Sequence, residues 1–263
     1  MPSIFAYQSA EVDWCEENFA QSEYIAEYYN TISNVGFFIL PPMLMFLNTQ
    51  YIQYRPIPIP GLTIMSTLIG LFSGYFHMTL SYAGQMLDEL SILWAIALCY
   101  AFWMPCHYFP SFIKNRDQFA WLVGIVTVFS TLMSFVKPTL NAYALNSIAI
   151  HLLYLSNLEF RKCNNVRIHR LIRTMVVWWS IAITCWLTDK FLCSICQRVN
   201  FAYLHSIWHL SIVVAIFYCA TTVVYLDVFY DFPSCEPDVA YWPSEGSFFS
   251  LPYIDLPKLK KQC

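Results

Sequence analysis

Tyr203-Leu204-His205-Ser206-Ile207-Trp208-His209-Leu210-Ser211-Ile212-Val213-Val214-Ala215-Ile216-Phe217-Tyr218 opens an apolar run over about 203–226 that carries two histidines. A run of this length crosses a bilayer as a helix, since about 20 apolar residues span the hydrocarbon. His205 and His209 are spaced i, i+4, so both rings project from one helical face, one turn apart. A third histidine, His77, lies in another apolar run, with Ser73 one turn before it and Asp88 at the start of the next run. Each such group costs several kcal/mol in hydrocarbon unless it is satisfied. Three imidazoles converging on one point are the usual recipe for Zn²⁺ with an open fourth position, and open-position zinc activates water. The histidines therefore point to an intramembrane hydrolase.

Composition agrees with the membrane setting. Residues are 58% hydrophobic and 12% charged, against about 25% charged in soluble domains. Many of the Trp and Tyr residues fall near the ends of apolar runs, as interfacial belts require. Seven apolar runs follow one another at approximately 31–49, 60–80, 86–105, 118–136, 141–160, 172–190 and 203–226. The expectation is an all-α membrane protein, a seven-transmembrane-helix bundle with no room for a separate soluble domain. Residues 1–30 form an acidic segment without the basic and apolar regions of a cleavable signal peptide. Residues 31–226 form the catalytic bundle, and 227–263, rich in proline, form an irregular extramembrane tail. The formal charge of −3 says little about partners, and nothing points to nucleic acid or to an obligate protein partner.

The basic residues set the orientation. With the N-terminus outside, the inner loops and tail hold Arg55, Lys114, Arg116, Arg161, Lys162, Arg167, Arg170, Arg173, Lys258, Lys260 and Lys261, and the outer loops only Lys137, Lys190 and Arg198. The N-terminus is thus luminal and the C-terminus cytosolic. In this arrangement Ser73, His77, Asp88, His205 and His209 come to a similar depth near the luminal face, although the topology was assigned without them. Of the other histidines, His151 reads as a helix–helix hydrogen-bonding residue, and His107 and His169 as solvated groups in inner loops.

Roles follow from the chemistry. Asp88 can accept a proton from water and pass it to a leaving group. Ser73 reads as a hydrogen-bond donor to an oxyanion rather than as a nucleophile. Asp13, Trp14, Glu16, Asn18 and Glu27 offer hard oxygen ligands of the kind Ca²⁺ takes, but the residues alone fit an ordinary acidic tail better. Most of the ten cysteines read as small buried hydrophobes. Cys15 and Cys193 are both placed on the luminal side, where disulfides persist, and Cys196 competes for the same partner.

Ser73-Gly74-Tyr75-Phe76-His77-Met78-Thr79-Leu80, Leu87-Asp88-Glu89 and Leu204-His205-Ser206-Ile207-Trp208-His209 resemble the motifs of the alkaline ceramidases. These are seven-helix membrane amidases of a wider hydrolase group that includes the adiponectin receptors, and the similarity runs through essentially the whole chain. The resemblance implies hydrolysis of ceramide to a sphingoid base and a free fatty acid. It implies zinc on His77, His205 and His209, with Ser73 and Asp88 catalytic. It further implies calcium on Asp13, Trp14, Glu16, Asn18 and Glu27, with Trp14 contributing its backbone carbonyl because indole has no acceptor. A Cys15–Cys193 disulfide and residence in the endoplasmic reticulum membrane, or the Golgi, follow from the same resemblance. The rival readings are a seven-helix receptor with a structural zinc site, and an ion transporter using the buried acids and histidines as a relay.

Overall fold

The computed structural model describes residues 3–137, 139–247 and 249–257. Lys258, Lys260 and Lys261, used above for orientation, lie outside the described residues, as do Met1, Pro2 and Pro138. Among the described residues nine α-helices run in order: α1 Tyr28–Ser33, α2 Gly36–Leu47, α3 Thr49–Tyr54, α4 Pro58–Thr79, α5 Tyr82–Trp103, α6 Arg116–Val136, α7 Thr139–Lys162, α8 Val166–Arg198 and α9 Leu204–Asp231. Strands β1, Asp238–Trp242, and β2, Leu251–Asp255, pair antiparallel after them.

Among the described residues six stretches are long and apolar enough to cross a membrane: Tyr28–Leu47, α4, α5, α6, α8 and α9. The chain is an all-α, multi-pass membrane protein. α7, expected as the fifth of seven spans, is long enough but more polar, carrying Asn141, Asn146, His151, Asn157 and Glu159. The first span, expected as one helix over 31–49, is broken into α1 and α2 at Asn34 and Val35. The buried Asn34 amide turns back to donate to the Asn30 carbonyl at 2.9 Å. α8 runs well past 172–190, because the basic 166–173 stretch continues the helix instead of forming a loop. His169 therefore sits on α8, its Nε2 at 2.9 Å from the Phe160 carbonyl, which corrects its assignment to a solvated loop. His107, in a short 3-10 turn, is partly exposed and packs on Tyr108 and Tyr230.

The N-terminal segment folds over one end of the bundle. α4 stops at Leu80, whose φ of 47° takes the chain out of the helix. Its last carbonyls would be orphans there. Four backbone N–H groups of the preceding segment satisfy this end: Gln8 to Thr79, Ala10 to Leu80, Ala26 to Met78 and Glu27 to His77, at 2.9–3.0 Å. Ala26, Phe76 and Leu80 form a small apolar core beneath, with Trp14 and Phe19 against it. α5 starts with Ser81, whose side chain accepts the Gly84 N–H at 3.1 Å as an N-cap.

The main core lies toward the other end, where Ile168, Leu171 and Ile172 of α8 meet Phe217, Val224 and Val228 of α9. Part of the 227–263 tail, expected to be irregular, forms the β1–β2 hairpin. The hairpin buries Val239 and Ile254, and Leu256 after it, in this core, so its alternate residues have an apolar face to cover despite the flanking prolines. Asp227 there accepts from Tyr51 at 2.8 Å and pairs with Arg55 at 2.9 Å, and Trp103 donates to the Tyr51 hydroxyl at 2.8 Å. α2–α3, α5 and α9 are thus tied together at the end opposite the N-terminal segment.

Candidate metal centre

His77 is in the last turn of α4, and His205 and His209 are in the first two turns of α9. All three are buried, at 0%, 2% and 1% exposure, and one nitrogen of each lies within 4.8 Å of the others. Among the described residues this is the one group of three His, Cys, Asp or Glu side chains whose ligand atoms all lie that close together. Ser73, one turn before His77, places its hydroxyl 3.3 Å from His209 Nε2. The Asp88 carboxylate approaches the same hydroxyl from the second turn of α5. The five residues read from three separate runs therefore meet at one end of the bundle. His151, in contrast, bonds the Tyr100 hydroxyl through Nδ1 at 2.8 Å, linking α7 to α5 away from the centre.

The far side of two of the three rings is held by a hydrogen bond, while His205 Nδ1 is buried without a partner. His77 Nδ1 bonds Glu27 Oε2, and His209 Nδ1 lies 2.7 Å from Ser33 Oγ. His205 stacks on the Trp14 indole, with ring centroids 3.7 Å apart. His77 Nε2 is buried without any hydrogen-bond partner. A buried nitrogen without a partner is costly, and a ring whose Nδ1 is engaged presents Nε2 to a metal. The donor set thus fits zinc, and three neutral imidazoles are a common catalytic set.

The acidic residues of the N-terminal segment surround Glu27. Asn18 Nδ2 donates to both Asp13 oxygens at 3.2 Å, and the Trp14 N–H donates to Glu27 Oε1 at 3.1 Å. Glu16, 6% exposed, accepts the N–H groups of Tyr29 and Asn30 at 2.7 and 2.9 Å. Burial pushes the Glu27 carboxyl up to about 8, against the pull of the Asn30 amide and the Trp14 N–H, and burial also raises Glu16. Asn18 Oδ1 is buried without a partner. Crowded carboxylates and an unpartnered amide oxygen are what a hard cation relieves. Cys15 is joined to Cys193 by a disulfide with Cα atoms 5.3 Å apart, while Cys196 is buried and free.

Several residues at the centre carry no signal in the sequence. Asn30, Ser33 and Ser206 are polar residues of ordinary kind, and only spacing from a known ligand could have drawn attention to them: Ser206 directly follows His205. Asp189 of α8, buried, accepts the Cys15 N–H at 3.0 Å and so holds the segment beside the disulfide. A small cavity of about 10 Å³ lies among α2, α4 and α9, lined by Leu40, Leu62, Ser66, Val213 and Phe217. Ser66 is two turns below Ser73, and Val213 is one turn below His209.

Fold and site together define a multi-pass membrane protein with a buried three-histidine centre capped by an acidic N-terminal segment. The ceramidase family model matches residues 6–255. The chain is 51% identical to alkaline ceramidase 1 of Homo sapiens, covering 100% of both chains, and 50% identical to alkaline ceramidase 1 of Mus musculus, covering 100% of this chain and 97% of the mouse protein. It is 36% identical to an alkaline ceramidase of Drosophila melanogaster over 94% of this chain and 88% of the fly protein. The chain belongs to the ceramidase family.

Proposed function

We propose that this protein hydrolyses the amide bond of ceramide to a sphingoid base and a free fatty acid, with zinc held by His77, His205 and His209. The observation that carries the reading is the convergence of three buried imidazoles with Ser73 and Asp88 in a chain of this family. Zinc in that set supplies a Lewis acid with an open coordination position. Ser73 donates its hydroxyl hydrogen bond to the carbonyl oxygen as negative charge develops on it. Asp88, within reach of the same hydroxyl, takes a proton from the attacking water and delivers it to the departing amine nitrogen. An acyl chain enters beside Ser66 and Val213 by widening the cavity there, which at about 10 Å³ has room for about one water.

The reading extends to the rest of the chain. Calcium is held by Asp13, Glu16, Asn18, Glu27 and the Trp14 carbonyl, supported by the crowding of buried acids at that point. α7 completes seven spans. Arg55, Arg116, Arg161, Lys162, Arg167 and Arg170 lie toward the end away from the histidines, which supports a luminal centre and a cytosolic C-terminal tail. An endoplasmic reticulum membrane, or the Golgi, suits that orientation and the disulfide.

Metal analysis of the purified protein, together with fatty-acid release from ceramides of varied chain length, tests this function. His77→Ala, His205→Ala and His209→Ala are expected to lose zinc and turnover together. Asp88→Asn is expected to keep zinc and lose about 10²–10⁴-fold in kcat, the range for a proton-transfer group. A zinc-loaded protein that releases no fatty acid from any ceramide would replace this reading with that of a receptor whose zinc is structural.

A further inference from the structure

We infer that Asn30 is a positioning residue that fixes the ring orientation and tautomer of two of the three histidines at once. This rests on the zinc reading above. Asn30 is fully buried in α1, between the acidic segment and α9, and every polar group it has is engaged. Its side-chain N–H donates to Glu27 Oε2 at 3.1 Å, the oxygen that bonds His77 Nδ1. Its carbonyl accepts the Ser33 hydroxyl at 3.0 Å, and that hydroxyl is the partner of His209 Nδ1. Its side-chain oxygen accepts Ser206 Oγ at 2.7 Å, from the stretch of α9 between the two histidines. Its backbone N–H donates to Glu16 Oε2 at 2.9 Å.

Proton counting makes the arrangement directional. Ser33 has one hydroxyl hydrogen, and the Asn30 carbonyl, which can only accept, takes it. Ser33 Oγ is then left to accept from His209, so the His209 proton sits on Nδ1 and Nε2 keeps its lone pair, facing Ser73. On the other arm, the Asn30 amide holds the Glu27 carboxylate where it accepts from His77 Nδ1, which leaves the unpartnered His77 Nε2 as the ligand atom. A carbonyl and an amide of one residue thus select the metal-binding tautomer on α4 and on α9. Among the described residues, Asn30 is the one residue hydrogen-bonded to the side chains of both Nδ1 partners.

The test measures zinc release to a chelator from purified, zinc-loaded protein, well below its melting temperature. Asn30→Asp retains the acceptor for Ser206 but has no N–H for Glu27, and Ser33→Ala removes the His209 arm alone. Both are expected to release zinc about 10–100-fold faster than the parent, as loss of such outer partners does elsewhere, and Ser33→Thr, which keeps the hydroxyl, is expected to restore slow release. Where Asn30→Asp fails to fold, Ser206→Ala, which frees the Asn30 side chain from α9, takes its place with the same expected direction. Parent-like release from folded Ser33→Ala and from the folded Asn30 or Ser206 variant overturns the inference. A parent protein that binds no zinc overturns instead the function on which it rests.

Discussion

Ser73 is the residue where most of the chemistry meets. Its hydroxyl lies 3.3 Å from His209 Nε2, with the Asp88 carboxylate approaching from the next helix, and its single hydrogen must turn toward a developing oxyanion to serve it. Ser73→Ala is expected to keep zinc and lose about 10²–10³-fold in kcat, the scale of one removed oxyanion donor, with little change in KM; steady-state kinetics on a soluble short-chain ceramide would show it. The histidines were legible because an imidazole in hydrocarbon is expensive wherever it occurs, and a pair at i, i+4 has one helical face to share. Glu27 was legible only as a member of an acidic tail. Its bond to His77 joins residues 50 apart, and no local pattern encodes that. Asn30 and Ser33 were not legible at all, because a buried amide and hydroxyl acquire meaning only from the side chains that tertiary structure sets against them.

At the scale of elements, apolar runs found the spanning helices to within a few residues, since hydrocarbon thickness fixes their length. They missed what polar groups decide: the break at Asn34, the continuation of α8 through its basic turn, and the tail hairpin, whose short alternating strands are weak signals beside long apolar runs. The contact of α2 with α9 is closer than sequence suggests. A Cβ on Gly36 would stand 2.8 Å from Val213 Cγ1. Gly36→Ala is expected to cost about 1–3 kcal/mol as overpacking between two spanning helices, seen as a lower melting temperature in detergent. Two turns further into the bundle, Ser66→Leu would fill the cavity next to Val213 and Phe217. Turnover of long-acyl ceramides is expected to fall relative to short ones, and an unchanged chain-length profile would remove that cavity from the substrate path.

For the whole molecule, polar ties hold the two ends and apolar packing fills the length between. At the end away from the histidines, Asp227 is 4% exposed and is held by Arg55 and Tyr51. Asp227→Ala is expected to destabilise the bundle by about 1–3 kcal/mol, because it leaves the buried Tyr51 hydroxyl without its acceptor while Arg55 keeps Asp231; thermal unfolding in detergent measures it. At the other end, the acidic segment is held by α4 carbonyls, by Gln85, by Asp189 and by a covalent bond. Calcium chelation is expected to loosen this segment, so that a protease cuts within residues 11–26 faster than in calcium.

The Cys15–Cys193 bond spans 178 positions, so the polypeptide is a closed ring with a short tail before Cys15 and a longer one after Cys193. Every spanning helix before α9, save the last residues of α8, and three of the five residues assigned to zinc and catalysis, Ser73 and His77 on α4 and Asp88 on α5, lie on that ring, while His205 and His209 lie on the tail beyond it. A single cut anywhere between the two cysteines therefore opens the ring without freeing a fragment. On a gel the nicked protein would travel as one species until a thiol is added and as two afterwards, and the halves of the metal centre would stay in one particle throughout.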